Sequence, residues 1–288
     1  MSDVSDDHVY LSLAEEHGDA AARWAFGTGF EDPLHGVDTS VPAGVDSGEL
    51  AAHCLALGDD ALVGAQRLAQ WCTRAPELEE EVALANIGLD LLGQARLLYS
   101  RAGQVDGTGR GEDAYAYFRD PEEFRSVRLA ELPNGDFAFS VTRLLFLSCW
   151  RLAVFERLAT AAPDPVLRAI AAKGVNELAY HRQFAADWTV RLGDGTAESH
   201  RRMRAALDAV APYTSELLTA PPGFGIDPAD VREEVLTVLR RVLDTAGLRL
   251  PEAPALPGQG REGAHTEHLA PLLAELQSVA RAHPEATW

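Results

Sequence analysis

Lysine is almost missing from this chain: Lys173 is the single lysine among 288 residues, against 24 arginines. Positive charge is scarce altogether, with 44 acids against 25 bases and a net charge of −19. That balance excludes a nucleic-acid partner, because phosphate binding needs a basic surface. It also argues against docking on an anionic membrane. Cysteine is sparse, and Cys54, Cys72 and Cys149 are widely spaced with no C-x-x-C pair. A zinc ribbon and a dithiol redox motif are therefore excluded, and the three are expected as buried free thiols. The most apolar stretch, Val141–Leu158, is broken by Arg143, Arg151, Glu156 and Arg157, which makes it a poor membrane span. The start, MSDVSDDHVY, lacks the basic-then-apolar layout of a signal peptide. A cytoplasmic protein is expected. Phosphate loops, nucleophile elbows and dinucleotide fingerprints are absent, as is strand-like alternation of any length.

What is present is strongly helical. With 47% hydrophobic residues the chain can bury a large core. Its charge is uneven: residues 1–60 hold 13 acids and only Arg23, and so contribute −12 of the total. Residues 1–50 read as an acidic, irregular N-terminal arm, with a short helix expected around Leu11–Trp24 and aromatics Trp24, Phe26 and Phe30 to pack it. Residues 51–288 read as one helical domain. From Asp59, the residues Leu62, Ala65, Leu68, Ala69 and Cys72 recur mostly at steps of three and four. The next segment opens on Glu77, Glu79, Glu80 and Glu81, where the helix dipole favours acids. It carries two apolar sets: Val82, Ala85, Leu89 and Leu92, then Leu84, Ile87, Leu91 and Leu98. That pattern predicts a helix buried on most sides.

Gly103–Gly111 reads as a loop. Phe137–Ala161 is apolar almost all round, the mark of a central helix. A fourth long helix is expected over Val166–Leu192, with others near Glu198–Leu218, Val231–Ala246 (cap Asp227, Pro228 at its first position) and Thr266–His283. The architecture expected is all-α: a four-helix bundle with additional C-terminal helices.

Bundles of this kind hold two irons when two helices each supply Glu-x-x-His and two others each supply a Glu. Residues three apart share a helix face, so both side chains reach one metal. None of the four long helices carries that motif. They carry polar stripes instead: Asn86, Asp90 and Gln94 on one, Lys173, Glu177 and His181 on another. The second stripe admits three readings. It is a solvated face with a helical Lys–Glu pair, a semi-buried network in which the ammonium supplies the charge a metal would supply, or a metal site poor in carboxylates. The chain's one Glu-x-x-His, Glu262 to His265, crosses Gly263 at a loop-to-helix junction. The cluster His265-Thr266-Glu267-His268 lacks the four-residue histidine spacing of a zinc protease. Helix capping or interface contact is expected of it.

The run ALANIGLDLLGQAR inside Asp59–Arg101 closely resembles the C subunit family of phenylacetyl-CoA epoxidases. Leu132–Ala138 (LPNGDFA), Lys173–Phe184 and Gly263–Leu269 (GAHTEHL) resemble the same family, and together the matches span roughly residues 55–288. The resemblance implies a ferritin-like fold, and association with a catalytic A subunit and further oxygenase components, in a complex that epoxidises phenylacetyl-CoA during aerobic phenylacetate degradation. It implies a structural, non-catalytic subunit with no cofactor of its own, the di-iron centre lying in the partner. Set against the catalytic sister's motif, Leu91 and Gln94 stand on one helix, Leu178 and His181 on the other. Leucine replaces each carboxylate and glutamine replaces one histidine, so Asp90, Leu91, Gln94, Lys173, Glu177, Leu178 and His181 mark a degenerate former site. No residue is expected to be catalytic or to hold metal. The alternatives are an autonomous di-iron oxygenase or ferroxidase, and a free-standing ligand-binding bundle.

Overall fold

A computed structural model describes residues 34–220 and 223–286. The chain divides into Met1–Gly36 and Val37–Trp288. Of the first unit only a turn at residues 34–36 is described. The helix expected over Leu11–Trp24, and Trp24, Phe26 and Phe30, lie outside the described residues.

Among the described residues of the second unit every regular element is helical. The α-helices are α1 (Ser47–Ala69), α2 (Leu78–Val105), α3 (Glu112–Tyr117), α4 (Arg128–Glu131), α5 (Phe137–Ala161), α6 (Pro165–Gly193), α7 (Ala197–Thr219), α8 (Pro228–Thr245) and α9 (Leu269–Ala282). Helix α1 pairs along its length with α2, and α5 with α6; the two pairs meet through α2 and α6. This is a ferritin-like four-helix bundle, all-α, with α7 and α8 laid against α5 and α6.

Helix boundaries are set by local chemistry. Asp136 accepts a hydrogen bond from the Phe139 amide at 2.9 Å and starts α5. Asp164 caps α6 through the Leu167 amide at 2.8 Å, with Pro165 at the first helical position, where a missing N–H costs nothing. Asp227 and Pro228 open α8 in the same way. Helix α5 is long and apolar enough to cross a membrane, yet 83% of its apolar window is buried against the rest of the protein. It is the central helix of the bundle.

Two boundaries differ from expectation. Helix α1 begins at Ser47, twelve residues before its apolar periodicity starts, because Asp46 caps it through the Glu49 amide. Helix α2 runs through Gly103 to Val105. That glycine does not break the helix. A Cβ there would collide with the carbonyl oxygen of Arg110, so the position serves a close backbone approach. Of the three cysteines, Cys54 and Cys149 are buried, but Cys72 is exposed in the connection after α1.

Buried ion pairs fasten the irregular segment between α2 and α5 to the bundle. Asp59 is fully buried and is engaged by Arg119, by the Tyr99 hydroxyl at 2.6 Å and by the Arg125 amide at 2.7 Å. Asp60 holds Arg261 at 2.5 Å and the Val127 amide at 2.8 Å. Glu216 of α7 takes the Arg128 Nε at 2.6 Å. Removing one partner of such a pair strands a charge in the interior.

Candidate functional site

The centre of the bundle holds a cavity of about 40 Å³. Its walls include Asp60 of α1, Leu91 of α2, Ser148 and Arg151 of α5, and Leu178 and His181 of α6. Leu91 and Leu178 therefore face one space from two helices. Beside it runs a polar chain that joins all four bundle helices. Arg151 donates through Nε to Gln94 Oε1 at 2.9 Å, and through Nη1 to the Leu57 carbonyl at 3.0 Å. Gln94 Nε2 donates to Glu177 Oε2 at 2.8 Å, and the other Glu177 oxygen takes the Lys173 ammonium. One turn along, His181 Nε2 and Asp90 Oδ2 are 3.0 Å apart. The pairs Gln94–Glu177 and Asp90–His181 advance in opposite senses along the two helices, so α2 and α6 are antiparallel here. Gly174 makes room: a Cβ there would meet the Phe155 ring at 2.7 Å, and that ring stacks under the Arg151 guanidinium at 4.6 Å.

The seven residues singled out in the sequence thus converge on one seam, though in two environments. Gln94, His181 and Leu178 are about 1% exposed, and Leu91 is also buried. Lys173 is different: its side chain is 32% exposed and pairs with Glu177 four residues on. The lysine is not the buried cation of the bundle centre. That cation is Arg151, 4% exposed, with its Nη2 buried and lacking a hydrogen-bond partner. Burial pulls the Arg151 pKa down to about 10, against the pull of Asp60, so it remains charged at neutral pH. Arg143, also on the cavity wall, is pulled down to about 9 by burial and the neighbouring Arg67.

Sequence reading missed Arg151 and Asp60, and both left a signal. Arginines inside a helix that is apolar all round have no solvated face to occupy, so Arg143 and Arg151 had to be buried. In the same way, Asp59-Asp60 sits within a run of α1 that is buried continuously from Leu57 to Ala65.

This donor set does not fit a pair of irons, which need several anionic oxygen ligands. Two of the facing positions are leucine, and a guanidinium stands in the wall. Asp60 is taken by Arg261 and a backbone amide, and the His181 Nε2 is taken by Asp90. Among the described residues, the ligand-type side chains that gather in a group of three are Glu77, Glu79 and Glu80, at the largely exposed start of α2.

The His265–His268 cluster does not cap α9 with a side chain; His268 holds the cap position without such a bond. His265 instead clamps the segment before α5. Its Nδ1 lies 2.7 Å from Glu131 Oε1 and its Nε2 2.9 Å from the Phe124 carbonyl oxygen. Both neighbours offer acceptor oxygens, an arrangement that favours the doubly protonated ring and raises its pKa. Glu131, fully buried, also accepts from Ser126 Oγ and the Thr266 amide.

The helical bundle, with a guanidinium, an amide and two leucines at its centre, places the chain in the ferritin-like all-α class. By sequence the chain belongs to the phenylacetic acid catabolic protein family, whose model matches residues 38–288. It is 42% identical over 248 residues to the C subunit of 1,2-phenylacetyl-CoA epoxidase from Escherichia coli (strain K12), covering 83% of this chain and 99% of that protein.

Proposed function

We propose that this chain is the structural, non-catalytic subunit of a cytoplasmic, multicomponent di-iron monooxygenase that epoxidises phenylacetyl-CoA in phenylacetate degradation. Its task in this reading is to bind and stabilise the catalytic A subunit, which holds the iron. The observation that carries the proposal is the bundle centre. Leu91 and Leu178 face one cavity, with Gln94 bonded to Arg151 beside it, and the resemblance implies that Leu91, Leu178 and Gln94 stand where a catalytic sister would supply ligands. Asp90, Glu177, Lys173 and His181 complete the remnant of that site as hydrogen-bonding groups. The similarity to the C subunit of an epoxidase supports the same reading.

A buried network fixed in this way serves rigidity. It locks α2, α5 and α6 in register, and so presents an ordered outer surface to a partner. The test is co-expression of the tagged chain with its catalytic partner, with iron assayed in the complex and in the lone chain. A stoichiometric complex whose iron follows only the partner is the expected result. Stoichiometric iron and oxygen turnover in the lone chain would make it an autonomous oxygenase and overturn the proposal.

A further inference from the structure

Helix α2 is apolar on two sides, and the described residues cover only one. Leu84, Ile87, Leu91 and Leu98 face the bundle interior and are buried. Leu78, Val82, Leu89 and Leu92 are 72, 51, 64 and 37% exposed, and Ala85 between them is exposed as well. The burial on most sides that the sequence demands is therefore not met among the described residues. At 100° per residue the outer set falls within an arc of about 80° that looks away from the core. Its spacing alternates four and three residues from Leu78 through Leu92 to Arg96, a 3.5-residue recurrence over about 21 Å from Leu78 to Leu92. Single exposed leucines are ordinary on a protein surface, whereas an aligned row is the seam that a second helix fills.

Charge decides which helix. The row begins beside Glu77, Glu79 and Glu80, whose carboxylate oxygens crowd within 4.8 Å of one another. A second copy of this chain would bring the same acidic turn and the same net charge of −19. The cation at the other end of the row, Arg96, is already held by Glu112 at 2.8 Å and is not free to answer those acids.

From these features we infer that the outer row of α2 seats an amphipathic helix of the catalytic partner, crossing at a shallow angle, with basic side chains meeting Glu77–Glu80. The inference rests on the structural-subunit reading above and adds the face that carries it.

The test is the dissociation constant between this chain and the catalytic partner, measured for wild type, for Val82→Glu/Leu89→Glu, and for Val279→Glu. Val279 is 55% exposed on α9 and serves as the control. The double variant should weaken binding by roughly 100-fold or more, and the control should leave it unchanged. Glu79→Lys/Glu80→Lys should slow association at low salt by about tenfold. All these positions are exposed or half-exposed, so far-UV circular dichroism and Tm should match wild type. Should the double variant misfold, hydroxyl-radical footprinting of the wild-type complex gives the same answer through protection of Leu78, Val82 and Leu89. Wild-type binding that survives the double variant, or a footprint that leaves those side chains reactive, overturns this inference and leaves the structural-subunit reading intact. No binding by wild type overturns that reading itself. A dimer of the lone chain that the double variant splits would show a second copy as the occupant, and overturn the choice of partner.

Discussion

Replacing Arg151 with methionine tests whether the bundle centre acts as one coupled unit. The methionine keeps most of the aliphatic stem and removes the guanidinium that lies over the Phe155 ring. The Gln94 Oε1, which takes its hydrogen bond from Arg151 at 2.9 Å, is left buried without a donor. An orphaned buried acceptor costs about 1–3 kcal/mol, and the lost stacking on Phe155 adds about 1. Against this, a buried cation and its unpartnered Nη2 are removed, which returns part of that sum. The expected net loss is about 2 kcal/mol. Gln94→Leu alone should cost about as much, since it leaves Arg151 Nε unpaired next to an Nη2 that already lacks a partner. Made together, the two changes delete donor and acceptor at once and should cost about 1–2 kcal/mol less than their sum. Urea unfolding of the four proteins of this cycle, at matched slopes, measures the coupling. Additivity within about 0.5 kcal/mol would refute the network, and Gln94 and Arg151 would be neighbours rather than partners.

Asp59→Asn should destabilise by about 3–5 kcal/mol, because it strands Arg119 in the interior and weakens the bonds to Tyr99 and the Arg125 amide; a loss under about 1 kcal/mol in the same unfolding assay would contradict that accounting. For His265, burial disfavours the charged ring, but the hydrogen bond and charge of Glu131, with the Phe124 carbonyl, raise its pKa above the ordinary 6.5. A raised folded value means that its contribution to stability is complete below about pH 6.5 and is lost as pH climbs through the folded pKa. Unfolding free energy should therefore decline over that alkaline-side window, and Glu131→Gln should flatten the decline. Burial pushes the Cys54 and Cys149 thiols up to about 12, while Cys72 is exposed. A colorimetric thiol reagent should titrate one equivalent on the native protein and three after denaturation.

How much of this can be read from the chain depends on whether a residue's environment is set by its neighbours in sequence or in space. The long helices are legible because apolar recurrence and caps are local: Asp136 and Asp164 announce α5 and α6, and α5 occupies the predicted residues. The identity of the central cation is not legible in the same way. Lys173 stands out because it is the only lysine, yet its four-carbon stem reaches the half-exposed rim of the α2–α6 seam. Arg151 is one arginine among 24, and its place depends on α1 and α2 bringing the Leu57 carbonyl and Gln94 to it. The acids Asp59, Asp60 and Glu131 are hidden for the same reason, since their charged partners lie 60 or more residues away. Helix α2 shows a third case. Its pattern demands burial on two faces, and the described residues meet that demand on one. A sequence reports every surface a residue row has to cover, including those covered by another chain. On the inference drawn for α2, the mismatch between the apolar row at Leu78, Val82, Leu89 and Leu92 and its exposure is the seam that a partner helix would cover, and its pattern is written in this chain's sequence alone.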